Sequence, residues 1–148
     1  MTYDFVIIGA GITGTIVARE LSRFSTKILL IEKENDVSMG STKANSAVVH
    51  GGYDDKYGTL KAKLCYKGRQ AFEKYNSELN FGYRKTGSLV VGFDEEDREI
   101  LNQIYENGLK NGTDDISILE QEEILKMEPA LNPDVKYALY CAGAGVCS

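Results

Sequence analysis

The glycine turn at residues 9–14 constrains this chain more than any other stretch. Residues 3–8 are apolar and β-branched apart from Asp4, and they run into Gly9-Ala10-Gly11-Ile12-Thr13-Gly14. That pattern predicts a strand entering a tight turn. Past the turn, Ile12, Ile16, Val17, Leu21 and Phe24 recur at helical spacing, while Arg19, Glu20 and Arg23 fall largely on the other side. An amphipathic helix follows from this spacing. Ser25-Thr26-Lys27 then leads into Ile28-Leu29-Leu30-Ile31, a short apolar run closed by Glu32. Such a run reads as a central parallel strand covered on both faces, and the strand, helix and strand together fit the roughly 30 residues of a βαβ unit.

The three glycines of this turn do different work. Gly9 permits the sharp bend, Gly11 has no side chain to block an approaching pyrophosphate, and Gly14 lets helix and strand pack closely. N–H groups of the helix that starts near Ile12 and Thr13, together with its positive dipole end, suit two phosphates. Glu32 lies 18 residues past Gly14, at the end of the second strand, where a carboxylate accepts hydrogen bonds from ribose hydroxyls and repels a 2′-phosphate. The α/β fold class that follows is a Rossmann-like dinucleotide-binding unit with a mostly parallel sheet. FAD or NAD is favoured over NADP; the βαβ unit alone does not choose between them. The plain alternative is a glycine turn with no ligand and a solvated Glu32.

Residues 35–46 are rich in Ser, Thr, Asn and Gly without a sustained period, so they read as a long loop returning toward the end of the first strand. Helical spacing resumes over residues 59–75 through Leu60, Leu64, Ala71 and Phe72. The texture then changes: a strand within residues 83–93, an exposed charged helix over 95–109, a short strand at 117–119, a short helix at 120–127 and a strand at 135–141. This shift divides the chain into residues 1–78, the first part of a cofactor domain, and 79–148, the first part of a mixed α+β substrate domain.

Bulk properties narrow the class further. Seventeen Lys and Arg against 22 Asp and Glu give a net charge of −5 with no basic stripe, which argues against nucleic acid as a partner. No apolar run reaches the roughly 20 residues of a transmembrane helix. The start lacks the pattern of a signal peptide, so a cytoplasmic location is expected. Cys65, Cys141 and Cys147 lack ligand spacing and read as reduced thiols. Asp54 and Asp55 beside Lys56 have no further ligands in register, so no metal is assigned. The Asn111-Gly112-Thr113 sequon carries no meaning in a cytoplasmic protein.

The sequence resembles the D-amino-acid oxidase-like flavoproteins, in particular the branch of FAD-dependent glycerol-3-phosphate dehydrogenases and L-2-hydroxyglutarate oxidases. Its fingerprint continues through Ala18 and Leu21 to Ile31-Glu32-Lys33. More specific is Ser41-Thr42-Lys43-Ala44-Asn45-Ser46-Ala47-Val48-Val49-His50-Gly51-Gly52, similar to the family segment that runs along the FAD pyrophosphate and under the flavin. Gly58-Thr59-Leu60-Lys61-Ala62-Lys63-Leu64-Cys65 and Gly82-Tyr83-Arg84-Lys85-Thr86-Gly87-Ser88-Leu89 resemble the helix start and first substrate-domain strand that follow. The resemblance implies FAD as cofactor, held by Gly9, Gly11, Ile12, Thr13, Gly14, Glu32, Lys33, Ser41, Thr42, Asn45, Ser46, His50 and Gly51. The residue chemistry agrees: Ser41, Thr42 and Ser46 offer hydroxyls, Asn45 an amide, and Gly51-Gly52 a bare backbone for a flat ring.

The implied activity is oxidation of a C–OH donor by hydride transfer to flavin. Glycerol-3-phosphate leads as the small-molecule substrate, L-2-hydroxyglutarate or an amine is the alternative, and a non-catalytic FAD- or NAD-binding module is the reading from another class. Ala44 stands where the family usually has Arg or His, and Asp54 where the glycerol-3-phosphate enzymes often have Arg, which leaves a hydroxy acid open. His50, the only histidine, is the candidate for proton transfer; a packed, hydrogen-bonded histidine at a strand end is the competing reading. A chain that leaves the FAD sheet and returns to it is longer than this one, so a fragment that is inactive alone and holds FAD weakly is expected. Further substrate contacts, and any peripheral membrane or electron-transfer partner, are assigned to residues beyond Ser148.

Overall fold

A computed structural model describes residues 2–147, which divide into two compact units between Ser46 and Ala47. In the first unit, strand β1 (Phe5–Ile8) pairs in parallel with β2 (Ile28–Ile31), Phe5 opposite Ile28 and Ile8 opposite Ile31. Asp4 fixes this register by accepting from the Lys27 N–H at 2.8 Å. Helix α1 (Ile12–Leu21) makes the crossover and packs on both strands. It ends three residues before Phe24, because the Thr26 hydroxyl and the Phe24 N–H both turn back to the Leu21 carbonyl.

Within this unit β2 is not covered on both faces. Ile8 is 87% exposed, Val6 55% and Ile31 45%, because a parallel sheet needs helices on both sides and this unit supplies only α1. The loop after β2 returns to the turn as expected: the Ser38 N–H donates to the Ala10 carbonyl at 3.0 Å.

In the second unit a three-stranded antiparallel sheet runs in the order β4 (Ser88–Gly92), β6 (Tyr137–Cys141), β5 (Ile116–Glu120). The central strand β6 is apolar throughout because both its faces are buried. Tyr137, Leu139 and Cys141 pack toward Leu101 and Ile116, while Ala138 packs with Ile124 and Val135. This is the period of two expected for a strand. Helix α3 (Glu95–Lys110) supplies Leu101, Ile104, Tyr105 and the buried Gly108. It is therefore half-packed rather than an exposed charged helix; its apolar residues at i, i+3, i+4 and i+7 form one stripe.

Helix α2 (Leu60–Leu79) runs further than the expected end at residue 75. Thr59 caps its start by accepting from the Ala62 N–H at 3.2 Å, and Asn80 in the left-handed region closes it. Helix α4 (Gln121–Met127) opens on a capping box between Glu120 and Glu123. Two short strands, β3 (Val48–Val49) and β7 (Gly145–Val146), pair antiparallel. The strand end expected before His50 is β3, but segments of two residues carry no periodicity, so sequence gives no sign of its pairing with β7.

The compact division at 46/47 differs from the functional division expected at 78/79. Residues 47–79 belong with the sheet unit because α2 and the loop before it are bonded to α3 and to Asp115.

Candidate functional site

The first unit holds a cavity of about 730 Å³ at the end of β1 and β2. Its lining includes Gly9, Gly11, Glu32, Lys33, Ser41 and Thr42, all expected from sequence, and Ile8, Ile31, Glu34, Met39 and Gly40, which sequence reasoning missed. The missed residues adjoin the motif in the chain. The apolar ones among them offer walls suited to a flat base. Ile12, Thr13 and Gly14 stand at the start of α1 without lining the cavity, as do Asn45 and Ser46 in the loop.

Each glycine has a distinct physical cause. Gly9 sits at φ +101°, a region that L side chains rarely adopt. A Cβ on Gly11 would lie 3.2 Å from Thr42 Oγ1, and one on Gly14 only 1.9 Å from the Gly9 carbonyl oxygen. The turn and the helix start are thus pressed together at Gly14.

Thr42 provides what Gly11 cannot. Gly11 is the N-cap of α1 and has no side chain to cap with, and the Ile12 N–H donates instead to Thr42 Oγ1 at 3.0 Å, 30 residues away in sequence. Asn45 in turn donates to the Thr42 carbonyl. The Thr15 N–H is taken by the Gly11 carbonyl at 3.0 Å. Among the described residues this leaves the N–H groups of Thr13 and Gly14 without an acceptor, two donors at the positive end of a helix.

Glu32 bridges turn and strand. Its Oε2 accepts from the Ala10 N–H at 2.7 Å, and its Oε1 accepts from Lys33 at 2.8 Å and Glu34 at 3.1 Å. A carboxylate has about four acceptor positions, so one remains for a hydroxyl. These donors, the Ala10 N–H foremost, hold the Glu32 carboxyl below its ordinary value. A folded-state value below the unfolded one means the contribution is present above the ordinary carboxylate range and is lost as pH falls through the lowered value. The Ala10 amide resonance should therefore shift with a midpoint below that range, and the step should vanish in Glu32→Gln. A midpoint at the ordinary carboxylate value would count against the bridge.

In the second unit His50 is exposed and follows β3 directly. Gly51 is buried, and a Cβ there would lie 2.5 Å from the Tyr53 ring and 2.6 Å from Cys141 Sγ. Packing within this unit therefore already requires glycine at Gly51. The following loop is clamped by two asparagines one turn apart, Asn107 on α3 and Asn111 at its C-cap. Asn107 Nδ2 donates to the carbonyls of Tyr53 (2.7 Å) and Asp55 (2.9 Å), and its Oδ1 accepts from the Tyr57 N–H at 3.1 Å. Asn111 Nδ2 donates to the carbonyls of Gly52 (3.2 Å) and Asp55 (2.7 Å), and the buried Thr113 hydroxyl donates to that of Gly51 at 3.5 Å.

The sequon residues Asn111 and Thr113 thus have a structural use, legible only once α3 and the loop meet. Removing either amide strands loop backbone groups, so Asn107→Ala and Asn111→Ala should each cost about 1–3 kcal/mol. Thermal melting measures this, and an unchanged melting temperature would exclude the clamp.

A parallel βαβ unit with two free helix N–H groups, a bridged acidic residue and an adjoining cavity defines a dinucleotide-binding module, and its residues fit the ADP half of such a ligand. Residues 4–148 match the DAO family, FAD dependent oxidoreductase. The chain belongs to that family, whose cofactor is FAD.

It is 45% identical to a glycerol 3-phosphate dehydrogenase of Caloramator mitchellensis over 97% of this chain and 30% of that protein. It is 36% identical to a mitochondrial L-2-hydroxyglutarate dehydrogenase of Dictyostelium discoideum over 97% of this chain and 33% of that protein. Among solved structures, the FAD-bound, dithionite-reduced L-alpha-glycerophosphate oxidase of Mycoplasma pneumoniae superposes with a TM-score of 0.89 at 33% identity, covering 99% of this chain and 39% of that one. The chain thus spans between 30% and 39% of the length of these relatives.

Proposed function

We propose that the full protein is an FAD-dependent dehydrogenase that oxidises the C–OH of glycerol-3-phosphate. The observation that carries this reading is the 45% identity to a glycerol 3-phosphate dehydrogenase along nearly the whole chain. Bound FAD supplies the hydride acceptor. The chain's own residues would bind and orient it: the Thr13 and Gly14 N–H groups and the hydroxyls of Ser41 and Thr42 would hold the pyrophosphate, and the remaining acceptor position of Glu32 would hold a ribose hydroxyl. Ile31 and Met39 would offer apolar walls to the base, and Lys33 also lines this cavity. His50 is exposed and takes the substrate's hydroxyl proton on its imidazole.

The second reading, oxidation of L-2-hydroxyglutarate, is supported by the 36% identity to an L-2-hydroxyglutarate dehydrogenase over 97% of this chain. Turnover of the FAD-loaded full protein with an artificial electron acceptor separates the two. A kcat/KM at least about tenfold higher for glycerol-3-phosphate is the expected result. The reverse ratio overturns the substrate, and flavin that neither compound nor an amine reduces overturns the enzyme reading in favour of a binding module.

A further inference from the structure

A second cavity, of about 340 Å³, lies where the start of α2 meets the end of α3. It is ringed by Lys63, Lys67 and Lys110, with Tyr57, Tyr66 and Asn111 among its walls and no carboxylate in its lining. Lys63 and Lys67 are one turn apart on α2, so two like charges share a helix face, an arrangement that opposes folding on its own. Lys61 next to them is neutralised by Asp55 at 2.7 Å. Lys63, Lys67 and Lys110 have no ion-pair partner among the described residues. In a chain of net charge −5, three uncompensated cations around one hollow are a local reversal of sign.

The frame of this cavity is fixed. Asn111 is tied to the carbonyls of Gly52 and Asp55, Tyr57 is tied through its N–H to Asn107, and Tyr66 is held by the Arg69 guanidinium 5.1 Å from its ring centre. The positive end of the 20-residue α2, capped at Thr59 and carrying no acidic residue in its first turn, adds to the same potential. Ammonium groups act as compact point charges, the form in which lysines commonly bind phosphate, and three of them around one hollow suit a ligand with several negative charges.

We propose that this cavity is a binding site for a small phosphate-bearing metabolite, its oxygens held by Lys63, Lys67 and Lys110 beside the two tyrosines. The proposal does not depend on which compound the enzyme oxidises.

Calorimetric titration of the FAD-saturated full protein with inorganic pyrophosphate, then tripolyphosphate, tests it. Saturable binding is expected, tighter for tripolyphosphate, and weakened at least about tenfold in the Lys63→Gln/Lys67→Gln/Lys110→Gln variant. All three lysines are exposed, so the variant should keep the parent's melting temperature without anion; the single Lys67→Gln variant, with a smaller loss, covers the case in which it does not. Lys33→Gln, which alters the other cavity, should leave the binding unchanged. No saturation up to about 10 mM, equal affinity in parent and triple variant, or a loss that follows Lys33 instead, would each overturn the proposal.

Discussion

Gly14→Ala should destabilise the βαβ unit by about 3 kcal/mol and strip FAD from the full protein, whereas Gly68→Ala should stabilise by about 0.5–1 kcal/mol. Both glycines lie inside helices, Gly14 in α1 and Gly68 in α2. Helix propensity alone gives both substitutions the same favourable sign. Surroundings separate them: a Cβ at Gly68 meets nothing within 4 Å, while one at Gly14 would lie 1.9 Å from the Gly9 oxygen and 3.1 Å from its carbonyl carbon. Those atoms are backbone and cannot rotate away. Relief requires α1 to lift from the turn, which moves the Thr13 and Gly14 N–H groups and the Ile12 bond to Thr42 together. Thermal melting and the flavin-to-protein absorbance ratio of the purified protein read the two effects. A Gly14→Ala protein with parental melting and full flavin would show that the close approach is not needed.

The difference between these two glycines also marks how far sequence reaches. The βαβ unit was legible because Gly9, Gly11, Gly14 and Glu32 are spaced by local geometry, and β2 appeared at its expected residues. Thr42 was expected at the cofactor as a hydroxyl donor. Its part as the remote cap of α1 depends on a loop returning across 30 residues, which no local pattern encodes. Glu32 directly follows β2, as its spacing predicts, but its hold on Ala10 appears only in three dimensions. In the second unit β6 read as a strand because it is apolar throughout, while the stripe of Leu101, Ile104, Tyr105 and Gly108 was masked by the acidic start of α3. Asn107, Lys67 and Lys110 belong to no motif, and neither the sequon of Asn111 nor the helix-start segment that holds Lys63 points to these roles; only the meeting of α2, α3 and their loop gives them a purpose.

Asp115→Ala should cost about 3 kcal/mol, and most of that loss should return in the double variant Arg69→Met/Asp115→Leu. Arg69 Nη1 lies 2.8 Å from Asp115 Oδ1 and 3.5 Å from Cys141 Sγ, and its side chain is only 9% exposed against 29% for Asp115. Truncating the carboxylate leaves a guanidinium in the interior with a thiol and a tyrosine ring beside it, neither of which carries the opposite charge. Burial pushes the Cys141 thiol up, and Asp115 adds to the shift, so it stays protonated and offers no replacement. The cost is that of a stranded charge rather than the net worth of the pair, which is why an apolar pair of similar volume should restore stability. Gly143 belongs to the same contact, since a Cβ there would fall 2.4 Å from Arg69 Nη1. The pair therefore fixes α2 against the turn that leads into β7, the partner of β3 and hence the support of His50. Equilibrium denaturation of the single and double variants measures the cycle. A double variant as unstable as Asp115→Ala would mean that the ion pair itself, and not the unpaired charge, sets the energy.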